Sequence, residues 1–204
     1  MPGAGIAAVV LSGGASRRFG APKILQEFAG ENFLTRIHRN LLAAGARPII
    51  LVLGHGAGTV RPRLPRLPEL HIAVNPAPQK GQFSSLQTGL RELGRLAAPV
   101  RGVLVCLVDQ PHLLPQTYRR MFELAEKAAE RVIVPTFGGR GGHPVFLPGS
   151  LFARILDEPP TAALRTVLRQ AGNSPLRVEL DDPGILEDID TPEDLRRLEK
   201  SAGR

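Results

Sequence analysis

A glycine-rich, basic loop follows the first apolar run of the chain. Residues 6–11 are all apolar, and the segment after them carries Gly13, Gly14, Arg18 and Lys23. Glycines allow a tight turn that brings backbone N–H groups close to anionic oxygens, and arginine and lysine add the full charges that peptide dipoles lack. The loop is therefore typical of a phosphate-binding site, and it predicts an enzyme that handles a nucleotide.

Two better-known phosphate-binding motifs do not fit this segment. A P-loop requires G-x-x-x-x-G-K-S/T, but five residues separate Gly14 from Gly20, and Lys23 is followed by Ile24, which has no hydroxyl. A dinucleotide fingerprint is formally matched by residues 3–8, yet these residues precede the first strand, whereas the phosphate-binding turn must follow it. Neither motif accounts for the loop.

A carboxylate stands at the end of the most apolar predicted strand. Residues 103–108 are uniformly apolar and lead directly into Asp109, Gln110 and Pro111. A charged group there is costly unless it meets a cation or several hydrogen-bond donors, and the Mg²⁺ that accompanies a nucleoside triphosphate prefers one or two carboxylates with phosphate oxygens. Asp109 is therefore the first candidate metal ligand, and the alternative is a carboxylate that caps the turn.

A second carboxylate is expected from the acidic segment before the last predicted helix. Asp188 and Asp190 flank Ile189 and share a face if the segment is extended. Thr191 is a suitable N-cap for the helix, and Pro192 suits its first turn. Spacing alone leaves open whether either aspartate binds a metal, caps the helix or is a solvated charge.

Apolar runs alternate with helical spacings along the whole chain, and this alternation predicts the elements that position the loops. Strands are expected at 6–11, 49–53, 72–74, 103–108, 132–134, 144–147 and 176–180, and helices at 33–44, 83–93, 118–129, 151–156, 162–169 and from 191 onward. The proline-rich stretch 61–68 is expected to be a surface connection and 137–142 a glycine-rich loop. The pattern predicts an α/β fold: one three-layer α/β/α domain over residues 1–204 with a mostly parallel sheet.

The candidate residues are expected at the carboxyl ends of the strands, where ligands bind in sheets of this kind. The loops 12–23, 75–85 and 109–112 all leave carboxyl ends of predicted strands. We therefore expect these three loops to converge.

Composition narrows the function further. The 204 residues are 43% apolar and carry a net charge of +7, but the arginines are scattered and only 4% of residues are aromatic. Few stacking platforms are available for nucleic acid, so a small polyanionic substrate is the better expectation. No apolar run approaches the ~20 residues of a membrane span, and no signal peptide is evident, so no membrane association and a cytoplasmic location are expected. The single cysteine, Cys106, lies in a predicted strand and is expected to be a core residue.

Five motifs then occur in one order along nearly the whole chain: Leu11-x-Gly13-Gly14-x-x-x-Arg18-Phe19-Gly20-x-x-Lys23, Asn75-Pro76 with Gly81-Gln82-Phe83-Ser84-Ser85-Leu86-x-x-Gly89, Asp109-Gln110-Pro111, Gly138-Gly139-Arg140-Gly141-Gly142-His143-Pro144-Val145, and Asp188-Ile189-Asp190-Thr191-Pro192-Glu193-Asp194-Leu195. This set resembles the molybdenum cofactor nucleotidylyltransferases. The resemblance implies the glycosyltransferase-A-type, Rossmann-like fold of nucleotidyltransferases.

The resemblance also implies roles for individual residues. Catalysis would fall to Arg18, Lys23 and Asp109, with Mg²⁺ held by Asp109 and Asp190. The nucleotide and acceptor would be bound by residues of the first loop, the second motif and the Gly141–His143 loop: Leu11, Ser12, Gly13, Gly14, Arg18, Lys23, Gly81, Ser84, Ser85 and His143. Taken alone, a histidine in a glycine-rich loop is equally well explained as structural.

The reaction that the resemblance implies is transfer of a nucleoside monophosphate. A phosphate oxygen of the acceptor, molybdopterin or the molybdenum cofactor, attacks the α-phosphorus of a nucleoside triphosphate, and pyrophosphate leaves. Such transfers depend on positioning and charge neutralisation, and no covalent enzyme intermediate is required. A molybdoenzyme that receives the finished cofactor is a further partner suggested by the resemblance.

The motifs disagree about the nucleobase. The family's cytidylyl-transferring branch usually has Ala-Ala-Gly after the first strand and its guanylyl-transferring branch Ala-Gly-Gly, so Ser12-Gly13-Gly14 matches the second branch. The residues around Ser84, Asp109 and Arg140 resemble the cytidylyl branch instead. We favour transfer of CMP from CTP, with GTP as the alternative.

Two further alternatives remain at this stage. One is an accessory protein that carries or inserts the cofactor without turning over nucleotide, against which the presence of Asp109, Asp190 and Lys23 argues. The other is nucleotidyl transfer to a sugar 1-phosphate, which uses the same first motif but does not account for residues 140–145.

Overall fold

The computed structural model describes residues 5–14, 19–172 and 174–202. Its strands are β1 (Gly5–Ser12), β2 (Glu27–Phe28), β3 (Glu31–Asn32), β4 (Ile49–Leu53), β5 (Leu70–Val74), β6 (Val100–Leu107), β7 (Ile133–Phe137), β8 (Arg140–Gly141), β9 (Val145–Pro148) and β10 (Leu176–Glu179). Its helices are α1 (Phe33–Ala44), α2 (Ala57–Val60), α3 (Gln82–Arg95), α4 (Pro115–Lys127), α5 (Phe152–Asp157), α6 (Leu164–Gln170) and α7 (Pro192–Ala202). Within these ranges, no helix is both long and apolar enough to cross a bilayer.

The main sheet has the strand order β10-β7-β9-β6-β1-β4-β5, with β8 paired to β7. Strands β6, β1, β4 and β5 are parallel to one another, as are β10 and β7. Strand β9 runs antiparallel between β6 and β7. The mostly parallel sheet is confirmed. The reversed strand was not expected, because a four-residue apolar segment carries no signal of its direction.

Helices cover both faces of the sheet. Along β1, Ile6, Ala8 and Val10 face a core built with α1 and α4, whereas Ala7 and Val9 face a core built with α3, α5 and α6. Successive strand residues point to opposite faces, so a continuous apolar strand is what two covered faces require. The predicted three-layer α/β/α arrangement is confirmed.

Helix α4 begins three residues earlier than its apolar spacing predicts. The buried Asp182 carboxylate accepts hydrogen bonds from the Leu114 backbone N–H at 3.0 Å and the Thr117 hydroxyl at 2.5 Å. Pro115 occupies the first helical turn, where its missing N–H costs nothing. This N-terminus is therefore capped by a residue 68 positions away along the chain, which local sequence cannot show.

The predicted glycine-rich loop is the turn of a β-hairpin. Strand β8 pairs antiparallel with β7, and Gly138 and Gly139 join them with φ angles of 56° and 75°. Two consecutive residues with positive φ are typical of the tight hairpin turns that match the twist of the strands. The prediction of a loop over 137–142 was therefore wrong for Phe137, Arg140 and Gly141, which lie in paired strands.

The last helix begins as predicted. The Thr191 hydroxyl accepts a hydrogen bond from the Asp194 N–H at 3.2 Å, and the Asp194 carboxylate accepts one from the Thr191 N–H at 2.8 Å. This reciprocal pair satisfies donors that the first helical turn would otherwise expose. A third apolar cluster of Phe28, Phe33, Ile189 and Leu198 packs α7 against the β2–β3 hairpin.

His112 is a half-buried titratable group beside the segment that precedes α7. Its Nε2–H donates to the Gly184 carbonyl at 3.1 Å, and its Nδ1 has no hydrogen-bond partner among the described residues. Burial lowers the pKa of His112, and this effect exceeds the opposing effects of the Gly184 carbonyl and the nearby carboxylates. The folded protein therefore keeps this imidazole neutral below the pH at which an unfolded chain protonates it.

This predicts an acid-dependent loss of stability. Because the pKa of His112 is lower in the folded state, its contribution is fully present above the unfolded value of about 6.5 and is lost as the pH falls below it, at up to about 1.4 kcal/mol per pH unit. His112→Gln, which retains a donor for Gly184, should show a shallower fall in the free energy of unfolding between pH 7 and pH 5 by urea titration. Identical slopes would contradict the assignment.

Candidate active site

A cleft of about 610 Å³ opens at the edge of the sheet where the parallel strands have their carboxyl ends. We call it the central cleft. Its walls come from the loop after β1, the entrance to α3, the end of β6 and the segment before α7: Leu11, Ser12, Gly13, Gly14, Lys23, His55, Pro78, Gln79, Gly81, Gln82, Ser85, Leu107, Val108, Asp109, Asp188 and Asp190. The three loops predicted to converge do so here.

The charged centre of the cleft is a lysine between two aspartates. The Lys23 ammonium lies 3.2 Å from the Asp109 carboxylate and 2.5 Å from the Asp190 carboxylate. Lys23 opens a short 3₁₀ turn, Asp109 lies two residues after the end of β6, and Asp190 lies two residues before the start of α7. The Ile189 N–H also donates to the Asp109 carbonyl at 2.9 Å, so the C-terminal segment is fastened beside the end of β6.

The electrostatics of Asp109 favour a cation at this position. Burial raises the pKa of Asp109, and the charge of Asp188 adds to the rise, whereas the nearby Lys23 lowers it. Burial disfavours the charged form of a carboxyl group, and only opposite charge restores it. A carboxylate in this position is therefore stabilised by each positive charge that enters the cleft.

The pair of aspartates fits a divalent cation that keeps other ligands. Asp109 and Asp190 already bring oxygens to one cation, the Lys23 ammonium, from two sides. In the described part of the chain, no group of three or more His, Cys, Asp or Glu side chains is placed to hold a metal ion. Two protein oxygens with the rest supplied by phosphate and water is the usual coordination of Mg²⁺ in nucleotide sites, whereas a closed structural site needs more ligands.

Two serines that are adjacent in the second motif have different surroundings at the start of α3. The Ser85 side chain lines the central cleft. The Ser84 hydroxyl instead donates to the Gly81 carbonyl at 2.7 Å and accepts from the Asn75 amide at 2.8 Å. The Asn75 amide also donates to the Ser85 hydroxyl at 3.0 Å. The structure therefore places Ser84 in the scaffold of the loop, and Gly81 and Ser85 on the wall.

A side chain on Gly13 would collide with Ser85. A Cβ atom on Gly13 would stand 2.8 Å from the Ser85 hydroxyl oxygen, which the Asn75 amide holds in place. On the opposite side, a Cβ on Gly54 would stand 2.7 Å from the Gly13 Cα. Contacts this short require a shift of the neighbouring atoms. Glycine at position 13 is therefore explained by its protein neighbours.

His55 is a cleft residue that the sequence analysis missed. It follows the carboxyl end of β4, and its Nδ1 lies 3.1 Å from the Gly13 carbonyl oxygen. It lines both the central cleft and a smaller adjoining cavity beside Gly20–Ile24. Its position directly after a predicted strand was the available signal. Asp188 also lines the cleft and accepts a hydrogen bond from Gln110 at 3.0 Å. The sequence alone left open whether this aspartate binds a metal, caps the helix or is a solvated charge.

A second cavity, of about 1330 Å³, adjoins the central cleft. We call it the side groove. It shares Leu11, Gly81 and Gln82 with the central cleft and contains His143. Burial lowers the pKa of His143, against a smaller opposing effect of the Asp109 charge. A neutral imidazole therefore stands near Asp109, where the two cavities meet.

The loop that carries His143 is fixed by backbone contacts. The Gly142 N–H donates to the Pro135 carbonyl at 2.9 Å, and the His143 N–H donates to the Ile185 carbonyl at 3.2 Å. A Cβ on Gly142 would stand 2.1 Å from the Ile185 carbonyl oxygen. Only glycine fits there, so this glycine sets the approach of the loop to the segment before α7.

The carboxylate of Glu179 holds the neighbouring hairpin turn. It accepts hydrogen bonds from the Thr136 hydroxyl at 2.5 Å and from the Gly138 N–H at 2.5 Å. These hydrogen bonds, the one from Thr136 above all, hold the pKa of Glu179 below its ordinary value. On the same turn, the Arg177 guanidinium donates to the Gly139 carbonyl at 2.7 Å.

The remaining predicted residues divide into two groups. Leu11, Ser12 and Gly14 line the central cleft. Arg18, the second predicted phosphate-binding cation, lies outside the described residues.

Comparison with known proteins agrees with this architecture. Over 196 residues, the chain is 28% identical to the purine catabolism protein PucB of Bacillus subtilis, covering 91% of this chain and 92% of that protein. Over 189 residues it is 25% identical to the molybdenum cofactor cytidylyltransferase of Escherichia coli, covering 91% of each.

A solved structure shows the same fold. The Rv0371c protein of Mycobacterium tuberculosis superposes with a TM-score of 0.78 at 25% identity, over 96% of this chain and 98% of that one. A second crystal structure of that protein is a complex with manganese and superposes with a TM-score of 0.74 at 23% identity, over 97% of this chain and 99% of that one.

The family assignment rests on a match along most of the chain. The sequence model of the MobA-like NTP transferase domain matches residues 8–176, a range that contains the loop after β1, Lys23, the entrance to α3 and Asp109. The nucleotidyltransferase fold expected from the motifs is confirmed. This chain therefore belongs to the MobA-like NTP transferase domain family.

Proposed function

We propose that the chain transfers CMP from CTP to the phosphate of molybdopterin or the molybdenum cofactor and releases pyrophosphate. The observation that carries the proposal is the Lys23 ammonium held between Asp109 and Asp190 in the central cleft. That arrangement provides a cation for phosphate oxygens and two carboxylates for a metal ion. The acceptor is supported by the name of the E. coli relative.

The chemistry requires little proton transfer from the protein. A phosphate oxygen of the acceptor attacks the α-phosphorus of the triphosphate, and the bond from that phosphorus to the oxygen of the leaving pyrophosphate breaks. The attacking phosphate is already ionised at neutral pH, so no general base is needed. This agrees with a His143 whose pKa is lowered by burial: a neutral imidazole can donate a hydrogen bond to the acceptor while carrying no charge.

The charged residues would neutralise and position the triphosphate. Asp109 and Asp190 would hold Mg²⁺, which supplies positive charge to the phosphate oxygens when bound. Lys23 would turn from the aspartates to the phosphates, because an ammonium and a divalent cation compete for the same carboxylate oxygens. Arg18 would supply a further cation from the same loop. Transfers of this type depend mainly on such positioning and electrostatic stabilisation.

The packing of Gly13 bears on the choice of base. Read by itself, a glycine at this position matches the guanylyl branch of the family. In this chain, however, the Ser85 hydroxyl occupies the space that an alanine methyl group would need. The glycine therefore carries no information about purine size, and the downstream motifs, which resemble the cytidylyl branch, support CTP.

Turnover with three nucleotides tests the proposal directly. CTP, GTP and ATP are supplied separately with Mg²⁺ and molybdopterin. Mass spectrometry identifies the dinucleotide product, and the release of pyrophosphate measures the reaction rate. The wild type should give the cytidylylated product. Lys23→Met should weaken CTP binding by about 1.5–3 kcal/mol, or one to two orders of magnitude, through loss of charge-assisted hydrogen bonds.

Lys127→Met, at the exposed end of α4, is the matched control and should bind CTP as the wild type does. A guanylylated product would mean that GTP, and not CTP, is the nucleotide substrate. Nucleotide binding without product from any of the three triphosphates would favour the carrier function instead.

A second prediction concerns Asp109. Asp109→Asn should lower Mg²⁺-dependent pyrophosphate release at least 100-fold, because the amide removes a charged ligand of the metal. The melting temperature should change little, since burial already disfavours the charge of Asp109 in the folded protein. Asp157→Asn, on the exposed surface of α5, is the control. Full activity in Asp109→Asn would show that this carboxylate only caps the turn after β6.

A third prediction separates steric packing from base selection. Gly13→Ala should weaken CTP and GTP binding alike, because its methyl group meets Ser85 whichever base is bound. Gly13→Ala/Ser85→Ala should recover at least tenfold in affinity, or about 1.4 kcal/mol, relative to Gly13→Ala. Nucleotide titration measures both, with Ser85→Ala and the exposed α3 variant Gly94→Ala, whose Cβ meets no atom within 4 Å, as controls. A loss confined to GTP would identify Gly13 as a purine selector.

A further inference from the structure

The side groove combines an apolar floor with a cationic rim. The floor is formed by residues of α3, the sheet and α6: Phe83, Leu86, Val105, Val134, Leu164 and Leu168. The rim carries five cationic side chains from four segments: Lys80, Arg140, Arg165, Arg169 and Arg177. Within the described ranges, no aspartate or glutamate lines this groove. The groove is thus suited to a ligand that is both apolar and anionic.

Two of these arginines stand one helical turn apart on the same short helix. Arg165 and Arg169 are exposed on α6, whose sequence, LRTVLRQ, contains no acidic residue. Residues four apart on a helix are neighbours, and like charges there are destabilising by about 0.2–0.5 kcal/mol. Neither arginine forms an ion pair with a carboxylate of the described chain. The two like charges at the groove therefore destabilise the helix slightly.

Arginines on two other helices have a carboxylate partner on the same helix. On α3, Arg95 lies 3.1 Å from Glu92, and on α4, Arg120 lies 3.2 Å from Glu123. Arg177, the neighbour of the α6 pair on the groove wall, is committed to the hairpin through the Gly139 carbonyl. Arg165 and Arg169 have no such carboxylate partner in the described chain, and both line the side groove.

We propose that Arg165 and Arg169 bind a second anionic group of the acceptor, separate from the phosphate that attacks the nucleotide. This proposal rests on the proposed function and adds that the acceptor is a flat, partly apolar molecule with at least two anionic groups. The attacking phosphate must lie at Lys23 and Asp109 in the central cleft. Arg165 and Arg169 line the side groove and not the central cleft, so the α6 pair meets another part of the acceptor.

Each part of the acceptor has a matching surface in one of the two cavities. The phosphate enters the central cleft across Leu11, Gly81 and Gln82, which line both cavities. The flat part of the molecule lies on the apolar floor, and the planar guanidinium groups of α6 bind its other anionic group through paired N–H donors. Binding at two ends fixes the orientation of the acceptor, and orientation is what brings its phosphate oxygen in line with the α-phosphorus.

Kinetics of an α6 variant test the proposal. In Arg165→Ala/Arg169→Ala, the KM for molybdopterin at saturating CTP should rise at least tenfold, while the dissociation constant of CTP stays within twofold of the wild type. Arg165→Lys/Arg169→Lys, which keeps the charge without the planar fork, should recover part of the loss. The control is Arg154→Ala, which removes an exposed arginine of α5 outside the groove and should leave the KM for molybdopterin unchanged.

Two results would overturn the proposal. One is a KM for molybdopterin in the double alanine variant that lies within twofold of the wild-type value. The other is an equal loss of CTP affinity in that variant, which would mean that the arginines bind the triphosphate or stabilise the fold. Circular dichroism and thermal melting would show a loss of folding.

Direct binding keeps this proposal separate from the proposed function. If the wild type gives no product with any nucleotide, the proposed function fails, and the groove is then tested with pterin-6-carboxylate, a fluorescent flat anion, and with uncharged 6-methylpterin. The wild type should bind the carboxylate at least tenfold more tightly than the double alanine variant does, with no difference for 6-methylpterin. Equal binding of the carboxylate by both proteins would reject the anion site.

Discussion

The central cleft is built around the contact of one lysine with two aspartates that lie far apart in the sequence. Lys23, Asp109 and Asp190 come from the start, middle and end of the chain and meet at the edge of the sheet. Opposite charges about 4 Å apart attract by about 4 kcal/mol at an effective dielectric of 20, and less where water reaches Asp190. Without the lysine, two carboxylates would repel each other beside a buried strand. The cation therefore allows the fold to bring the acidic groups together.

That arrangement also prepares the central cleft for its ligand. The two carboxylates around the ammonium group would, on the proposed function, be in place as ligands before a divalent ion arrives. On the proposed function, the triphosphate brings both its own negative charge and a metal cation, so the lysine and the metal can exchange partners with little net change of charge. Positioned charges that need little rearrangement are the main source of catalysis in such transfers.

The sequence predicted the charged part of the site better than its neutral walls. An uninterrupted apolar run predicts a buried strand. The apolar runs 6–11 and 103–108 therefore located the ends of β1 and β6, and with them Lys23 and Asp109. Ser84 and Ser85 are adjacent in the motif, and their separation into scaffold and wall depends on how Asn75 packs beneath α3. The reversal of β9 and the capping of α4 by Asp182 likewise depend on contacts distant in sequence, which no local periodicity records.

The same distinction explains why the nucleobase was the point on which the motifs disagreed. Charge acts over several ångströms, so the role of a charged residue depends little on the exact shape of its neighbours. A glycine that lines a pocket has no such independence: at Gly13 the available space is set by the Ser85 hydroxyl. A motif comparison that reads Gly13 alone attributes to the ligand a constraint that comes from the protein. In this chain, position 13 therefore has to be interpreted together with position 85.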